Sequence, residues 1–254
     1  MLFSSTTFIF HFLPCVLLLY VFTPCRFKNT VLLLASFFFY GWTEPKYILF
    51  MILAIGTAYI SGILIDRYRH RPKVSKWILI LSVSLCLAML GYFKYADFFI
   101  SNFNTVTGLS LPLLRVALPL GISFYTFQIL SYSIDVYRNE VSAQKNLLDL
   151  ATYISLFPQL IAGPIVRYSH IEHQLQHHTH SLDKTTAGTQ RFLVGLSKKV
   201  LLANTLGELC TTFRTSSDLS VIWIWMYAIA CSLQIYFDFS GYSDMAIGLG
   251  KLFG

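Results

Sequence analysis

Residues 234–250 read "QIYFDFSGYSDMAIGLG" and close an apolar run, "LSVIWIWMYAIACSLQIYF" (219–237), that is long enough to cross a bilayer. Two carboxylates, Asp238 and Asp244, stand inside this stretch. At mid-membrane depth a carboxylate costs about 2.5–3.5 kcal/mol on insertion scales, so such groups face a protein interior, a cavity or a substrate rather than lipid. Continued as a helix, the segment places Gln234, Asp238 and Tyr242 on one stripe (i, i+4, i+8) and Ser240 and Asp244 on another. Two polar stripes on one helix require protein or water on both sides. Gly241, Ala246, Gly248 and Gly250 permit close approach of a neighbouring helix or of a ligand. With no metal set and no nucleophile beside them, the carboxylates read as helix braces before they read as catalysts.

The rest of the chain carries the same membrane character. Of 254 residues, 55% are hydrophobic and 12% are charged, against about 25% charged in an ordinary soluble domain. A soluble fold of this length has too little interior for that much apolar surface, which makes this a polytopic membrane protein. The net charge of +7 does not point to nucleic acid. The basic residues lie in short clusters between apolar runs, without a zinc-finger or helix-turn-helix pattern, and read as topogenic charge. Five scattered cysteines (Cys15, Cys25, Cys86, Cys210, Cys231) form no CxxC pair and no disulfide framework, and read as small apolar packing residues.

Residues 3–22 form a membrane anchor, since no basic n-region or cleavage site marks them as a signal peptide. Residues 31–42 are short for a span; a crossing here, rather than a re-entrant turn, keeps Arg26 and Lys28 on the inner side. Residues 47–65 span and lead into "DRYRHRPKVSK" (66–76), whose five Arg and Lys side chains place that loop in the cytoplasm. Residues 77–93 return across the membrane. Asp97, Asn102, Asn104 and Arg115 interrupt residues 94–118, which fit an interfacial helix or a re-entrant segment. In "LPLGISFYTFQILSYSIDVYR" (118–138), Gln128, Ser131 or Tyr132, and Asp135 gather on one helical face, either as interhelical glue or as the lining of a cavity. Asp135 and Arg138, three apart, are spaced to pair.

"YISLFPQLIAGPIVRY" (153–168) is broken by Pro158 and by Gly163-Pro164, and Gln159 and Arg167 flank the break. Broken helices at membrane depth persist only where protein or water satisfies the freed carbonyls. "HIEHQLQHHTH" (170–180) holds five of the seven histidines: His170, His173, His177, His178 and His180. Without an accompanying thiol, in a polar stretch between apolar segments, these read as an interfacial loop rather than a metal site. Residues 191–206 are amphipathic, with Lys198 and Lys199, and read as a helix on the cytoplasmic surface. There is no nucleophile elbow, phosphate loop or paired nucleophile and base. No linker or clear repeat divides residues 1–254, which read as a single membrane unit.

Four segments in order resemble the membrane-bound O-acyltransferase (MBOAT) superfamily, most closely its alginate O-acetyltransferase branch. They are "ASFFFYGWTEPKY" (35–47), "LPLGISFYTFQILSYSIDVYR", "YISLFPQLIAGPIVRY" and "QIYFDFSGYSDMAIGLGKLFG". The resemblance implies an all-α, multi-pass helical shell around a tunnel, with short broken or re-entrant helices, in a bacterial inner membrane. It implies acetyl transfer from a cytoplasmic donor, acetyl-CoA, to an extracellular polysaccharide such as alginate, with other polysaccharide-acetylation proteins as partners. Bound cofactor, metal and nucleic acid are not expected; membrane lipid and the polysaccharide acceptor are.

Gln128, Gln159, Arg167, Gln234, Asp238, Tyr242 and Asp244 are the candidates for lining the tunnel or binding substrate. The family's essential histidine belongs to a tryptophan- and arginine-rich run after "FDFSGYSD", a position that none of the seven histidines matches. The expectation is therefore an N-terminal half whose catalytic histidine lies beyond Gly254. A transporter for a small or lipid-linked substrate shares the polar intramembrane groups and broken helices, although it predicts inverted repeats. A non-catalytic scaffold of an exopolysaccharide export complex is the third reading.

Overall fold

A computed structural model describes residues 3–160, 166–176, 178–216 and 220–254. All regular structure among the described residues is helical. In chain order the helices are α1 (Leu13–Phe22), α2 (Lys28–Thr43), α3 (Ile48–Arg67), α4 (Pro72–Thr107), α5 (Ile122–Tyr137), α6 (Leu147–Ser155), α7 (Phe157–Leu160), α8 (Tyr168–Gln176), α9 (Leu182–Ser197), α10 (Asn204–Thr215) and α11 (Val221–Phe253). Three segments are long and apolar enough to cross a membrane: Pro45–Arg67, Pro72–Thr107 and Val221–Phe253. The protein is a helical membrane protein. The apolar side chains of α4 and α11 face mostly outward, with Trp77, Leu81, Phe99, Ile222, Trp225 and Ile235 exposed as lipid-facing residues would be.

The helices pack as two units. One is built from α2 to α8. Its interior helix is α5, which α3 and α4 flank and α6 and α8 cover. Gly121 begins α5 with φ +71°, and a Cβ there would stand 2.3 Å from the Leu160 carbonyl oxygen. Only glycine meets both the left-handed backbone and that approach. Residues 94–118 differ from expectation. The helix begun at Pro72 runs on to Thr107 and stops at Gly108, in the left-handed conformation at φ +72°. Residues 108–118 then have no regular secondary structure and are held by Asp97, whose carboxylate accepts from the Leu114 and Arg115 N–H groups, and by Asn104, which bonds Leu111 in both directions. The aromatic run 92–99 carries α4 past its polar interruptions. Residues 31–42 are helical as part of α2, whose 16 residues reach about 24 Å.

The predicted break at Pro158 is present, and the Tyr153 carbonyl beside it finds a side-chain donor. α6 ends at Ser155, and α7 is a single turn containing Pro158. In an uninterrupted helix the Tyr153 carbonyl accepts from the Phe157 N–H. Here that N–H donates to Ser36 Oγ of α2 at 3.1 Å, and Gln159 Nε2 donates to the Tyr153 carbonyl at 2.6 Å. Gly163-Pro164 lies outside the described residues. The histidine-rich stretch is not simply a loop: its first part is helix α8, which carries His170 and His173.

The other unit comprises α1 with α9, α10 and α11. A π-helical turn, Lys198–Ala203, joins α9 to α10 without a break, so residues 182–215 are one long helix packed antiparallel along α11. One face of residues 191–206 packs on α11, where Arg191, Lys198 and Lys199 reach its carboxylates, while Ser197, Asn204 and Thr205 stay exposed. At the start of the unit Phe3 stacks on Tyr242 at 4.7 Å, and Tyr20 donates a hydrogen bond to the Phe253 carbonyl.

Candidate functional site

The hairpin of residues 182–253 is set by small residues at matched spacing. Gly188 and Gly195 are seven apart, as are Gly241 and Gly248, and the pairs meet crosswise. A Cβ on Gly195 would stand 2.5 Å from the Gly241 carbonyl oxygen, and one on Gly248 would stand 2.7 Å from that of Gly188. Backbones this close draw the flanking long side chains across the seam. Lys199 pairs with Asp238. Lys198 Nζ lies 2.6 Å from Asp244 Oδ2 and 3.2 Å from Ser240 Oγ, and Arg191 Nε donates to Asp244 Oδ1 at 3.0 Å. The π turn explains how two consecutive lysines both reach α11: its wider winding reduces the angle between adjacent side chains. Asp244 is 17% exposed and holds two cations; Asp238 is 44% exposed and holds one. Each carboxylate is matched by positive charge within the hairpin. These ion pairs tie α9 and the π turn to α11.

Gln234 and Tyr242, on the Asp238 stripe, also meet protein: Gln234 packs near Gly207, and Tyr242 stacks on Phe3. The sequence did not assign Lys198, Lys199 and Arg191 as carboxylate partners. The legible signal was the double seven-residue glycine spacing, which fixes an antiparallel register once the two segments are recognised as neighbours.

In the α2–α8 unit a different polar surface forms on α5. Gln128 and Asp135 are seven residues apart and share one edge of its buried arc; Thr126 and Ser133, also seven apart, share the other. All four are 4% exposed or less. Thr126 Oγ1, Gln128 Oε1, Ser133 Oγ and Asp135 Oδ2 have no hydrogen-bond partner among the described residues. A buried polar atom without a partner costs about 1–3 kcal/mol, so four on one helix mark a place built to take up water or a polar ligand group. Thr126 and Ser133 were not singled out in the sequence, where small hydroxyl residues in a helix carry no distinguishing signal.

Beyond Asp135 lies a charged cluster. Arg138 and Arg167 approach Glu140 at 4.0 and 3.9 Å, so Arg138 pairs with Glu140 and not, as its spacing had suggested, with Asp135. Arg167 is exposed, unlike Gln128 and Gln159. Between them stand three packed tyrosines: Tyr132 and Tyr153 each meet Tyr168 edge-on at 5.2 Å. Gln144 donates to Tyr168 Oη at 2.9 Å and, through its N–H, to Tyr132 Oη at 3.0 Å, while Tyr153 donates to the Val166 carbonyl at 2.8 Å. Burial, with Glu172 nearby, pushes the Tyr168 phenol up, so it keeps its proton.

His170 and His173 are on α8 of this unit; in the other, His178 contacts Tyr20 Oη at 3.2 Å and His180 meets the same ring edge-on at 5.6 Å between centroids; His177 lies outside the described residues. Among the described residues no group of three His, Cys, Asp or Glu side chains is placed to hold a metal ion.

Comparison with known proteins gives this geometry its context. The pattern of the membrane-bound O-acyltransferase family (MBOAT) matches residues 30–254. The chain is 42% identical to the probable alginate O-acetylase AlgI of Pseudomonas aeruginosa over 258 aligned residues, covering 100% of this chain and 50% of that protein. It is 42% identical to the protein of the same name from Azotobacter vinelandii, covering 100% and 52%. A peptidoglycan O-acetyltransferase of Helicobacter pylori is 35% identical, again over 100% of this chain and over 54% of its own length. The chain thus spans about half the length of these curated relatives. A helical membrane protein whose sequence matches from the first residues of α2 to the end of α11, it belongs to the membrane-bound O-acyltransferase family.

Proposed function

We propose that this chain forms the membrane-embedded N-terminal part of an O-acetyltransferase that acetylates an extracytoplasmic polysaccharide, with alginate as acceptor and acetyl-CoA as the cytoplasmic donor. The observation that carries this reading is the buried edge of α5. In a protein of an acyltransferase family, Gln128 and Asp135 offer buried hydrogen-bonding capacity that no partner among the described residues takes up in full. On this reading that edge lines the route of the acetyl group, and Arg167 and Arg138 stand at its end. The enzyme works in the inner membrane beside other proteins of polysaccharide acetylation.

O-acetylation requires the acceptor hydroxyl to lose its proton as it attacks the acetyl carbonyl, and a general base contributes typically about 10²–10⁴ in rate. Asp238 and Asp244 are held by Lys199, Lys198 and Arg191, and a carboxylate so paired is a poor proton acceptor. The resemblance to the family implies a histidine as that base. The test uses membranes containing the full-length protein, labelled acetyl-CoA and alginate. Labelled polysaccharide is expected, and residues 1–254 alone should insert in membranes but give none. Absence of transfer by the full-length protein with its partners present overturns the assignment. Transfer by residues 1–254 that is lost in His173→Ala would place the base in α8.

A further inference from the structure

Near the turn of the long hairpin, the Sγ atoms of Cys210 on α10 and Cys231 on α11 stand 3.0 Å apart. Both are free thiols. Heavy atoms in ordinary contact settle at about 3.5–4.0 Å, and bonded sulfurs at about 2.05 Å. The pair lies between these limits, with the two helices held on either side of it. Toward the turn, Phe213 meets Trp223 edge-on at 4.6 Å between centroids; toward the ion pairs, Gly207 packs against Gln234. The register that brings the glycines together also brings the cysteines together.

We propose that Cys210 and Cys231 are a disulfide-forming pair that staples the hairpin on the turn side of its carboxylate braces. Charge assigns the compartment. Lys184, Arg191 and Lys251 lie in the half of the hairpin away from the turn, Lys198 and Lys199 lie at its middle, and Arg214 lies near the turn. The positive-inside rule then places the turn on the extracytoplasmic side, where thiols are oxidised and disulfides persist. Cys210 lies five residues before the end of α10, about 8 Å of helix.

The co-reactant is the disulfide of a protein oxidant. Cys231 is half-buried and Cys210 is 8% exposed. Cys231 loses its proton and attacks the oxidant's disulfide, forming a mixed disulfide and releasing one oxidant thiol. Cys210 loses its proton, attacks the Cys231 sulfur and expels the second oxidant thiol. Two thiols are oxidised, two electrons and two protons pass to the oxidant, and the oxidant leaves as a dithiol.

The experiment is thiol mapping of the full-length protein in cell membranes. Membranes, with and without the oxidant diamide, are dissolved in denaturing detergent with N-ethylmaleimide and no reductant, then digested for mass spectrometry. The expected product, in at least the diamide-treated sample, is a cross-linked peptide joining residues 210 and 231. Dithiothreitol should release it as two peptides heavier by one hydrogen each, while Cys86 is alkylated throughout. In Cys210→Ser, Cys231 should become alkylated, and in Cys231→Ser the same should hold for Cys210. Complete alkylation of both cysteines even after diamide, or a cross-link from either to Cys15, Cys25 or Cys86 instead, overturns the proposal.

Discussion

The two carboxylates of α11 differ in a way that Asp244→Asn and Asp238→Asn should separate. Asp244 is 17% exposed and accepts from Arg191 at 3.0 Å and from Lys198 at 2.6 Å. Asparagine keeps the shape but offers one oxygen and one NH₂, so one of the two cations must face a donor. Removing one partner of a fully buried ion pair costs about 3–5 kcal/mol, whereas an exposed pair is worth about 0–1 kcal/mol. The side chains of Arg191 and Lys198 are 43% and 31% exposed, which places the loss between these limits, at about 2–3 kcal/mol. At about 2–4 °C per kcal/mol for a chain of this size, the apparent melting temperature in detergent should fall by about 4–12 °C. Asp238 is 44% exposed and faces one lysine, so Asp238→Asn should cost at most about 1 kcal/mol, or about 4 °C, and less at high salt. Lys198→Met in the Asp244→Asn background should recover part of the loss by removing the cation left without a counter-charge. Fluorescence-detected size-exclusion chromatography across a temperature series measures all four proteins. Equal shifts for the two single variants, or a larger one for Asp238→Asn, would refute the assignment of Asp244 as the principal brace.

Gly241→Ala places a methyl group 2.8 Å from the Gly195 carbonyl oxygen and 3.1 Å from the Lys199 nitrogen, and should destabilise the hairpin by about 1–3 kcal/mol. Gly250→Ala, on the same helix with nothing within 4 Å, should be neutral or stabilising by up to about 1 kcal/mol; a matching loss in thermal stability would mean the seam is not where the helices meet. Asp135→Asn and Gln128→Ala should leave the amount of folded protein in membranes unchanged while lowering acetylation of polysaccharide by the full-length enzyme at least tenfold, and unaltered rates would separate α5 from the acetyl route. For topology, the exposed Arg71 is the position to probe, since Ser75 in the same charged stretch is buried in the first turn of α4. In a background without other cysteines, Arg71→Cys should resist an impermeant thiol reagent in intact cells and react after lysis; labelling without lysis would reverse the orientation drawn from charge.

Sequence by itself determined the kind of protein and much of its helical punctuation. Apolar length set the candidate spans, because burying apolar surface is nearly indifferent to detail. Pro158 ended α6, because a missing N–H is a local fact. The segment 234–250 was legible as helix, and its two carboxylates as groups needing partners, because an unmatched charge is costly wherever the helix lies. The identity of those partners was not legible. Lys198 and Lys199 read as the charged face of a surface helix until α9, a π turn and α10 are joined into one rod against α11, and only that register turns both lysines onto the carboxylates. The same holds for Cys210 and Cys231, twenty-one residues apart and unremarkable in sequence, and for the helix break, where the Gln159 amide donates to the Tyr153 carbonyl and a hydroxyl of α2 accepts from the Phe157 N–H. Hydrophobic pattern acts through area and local chain chemistry through single residues, and both are written along the chain. Hydrogen bonds and ion pairs act over a few ångströms between distant residues, so tertiary packing alone decides which of them form.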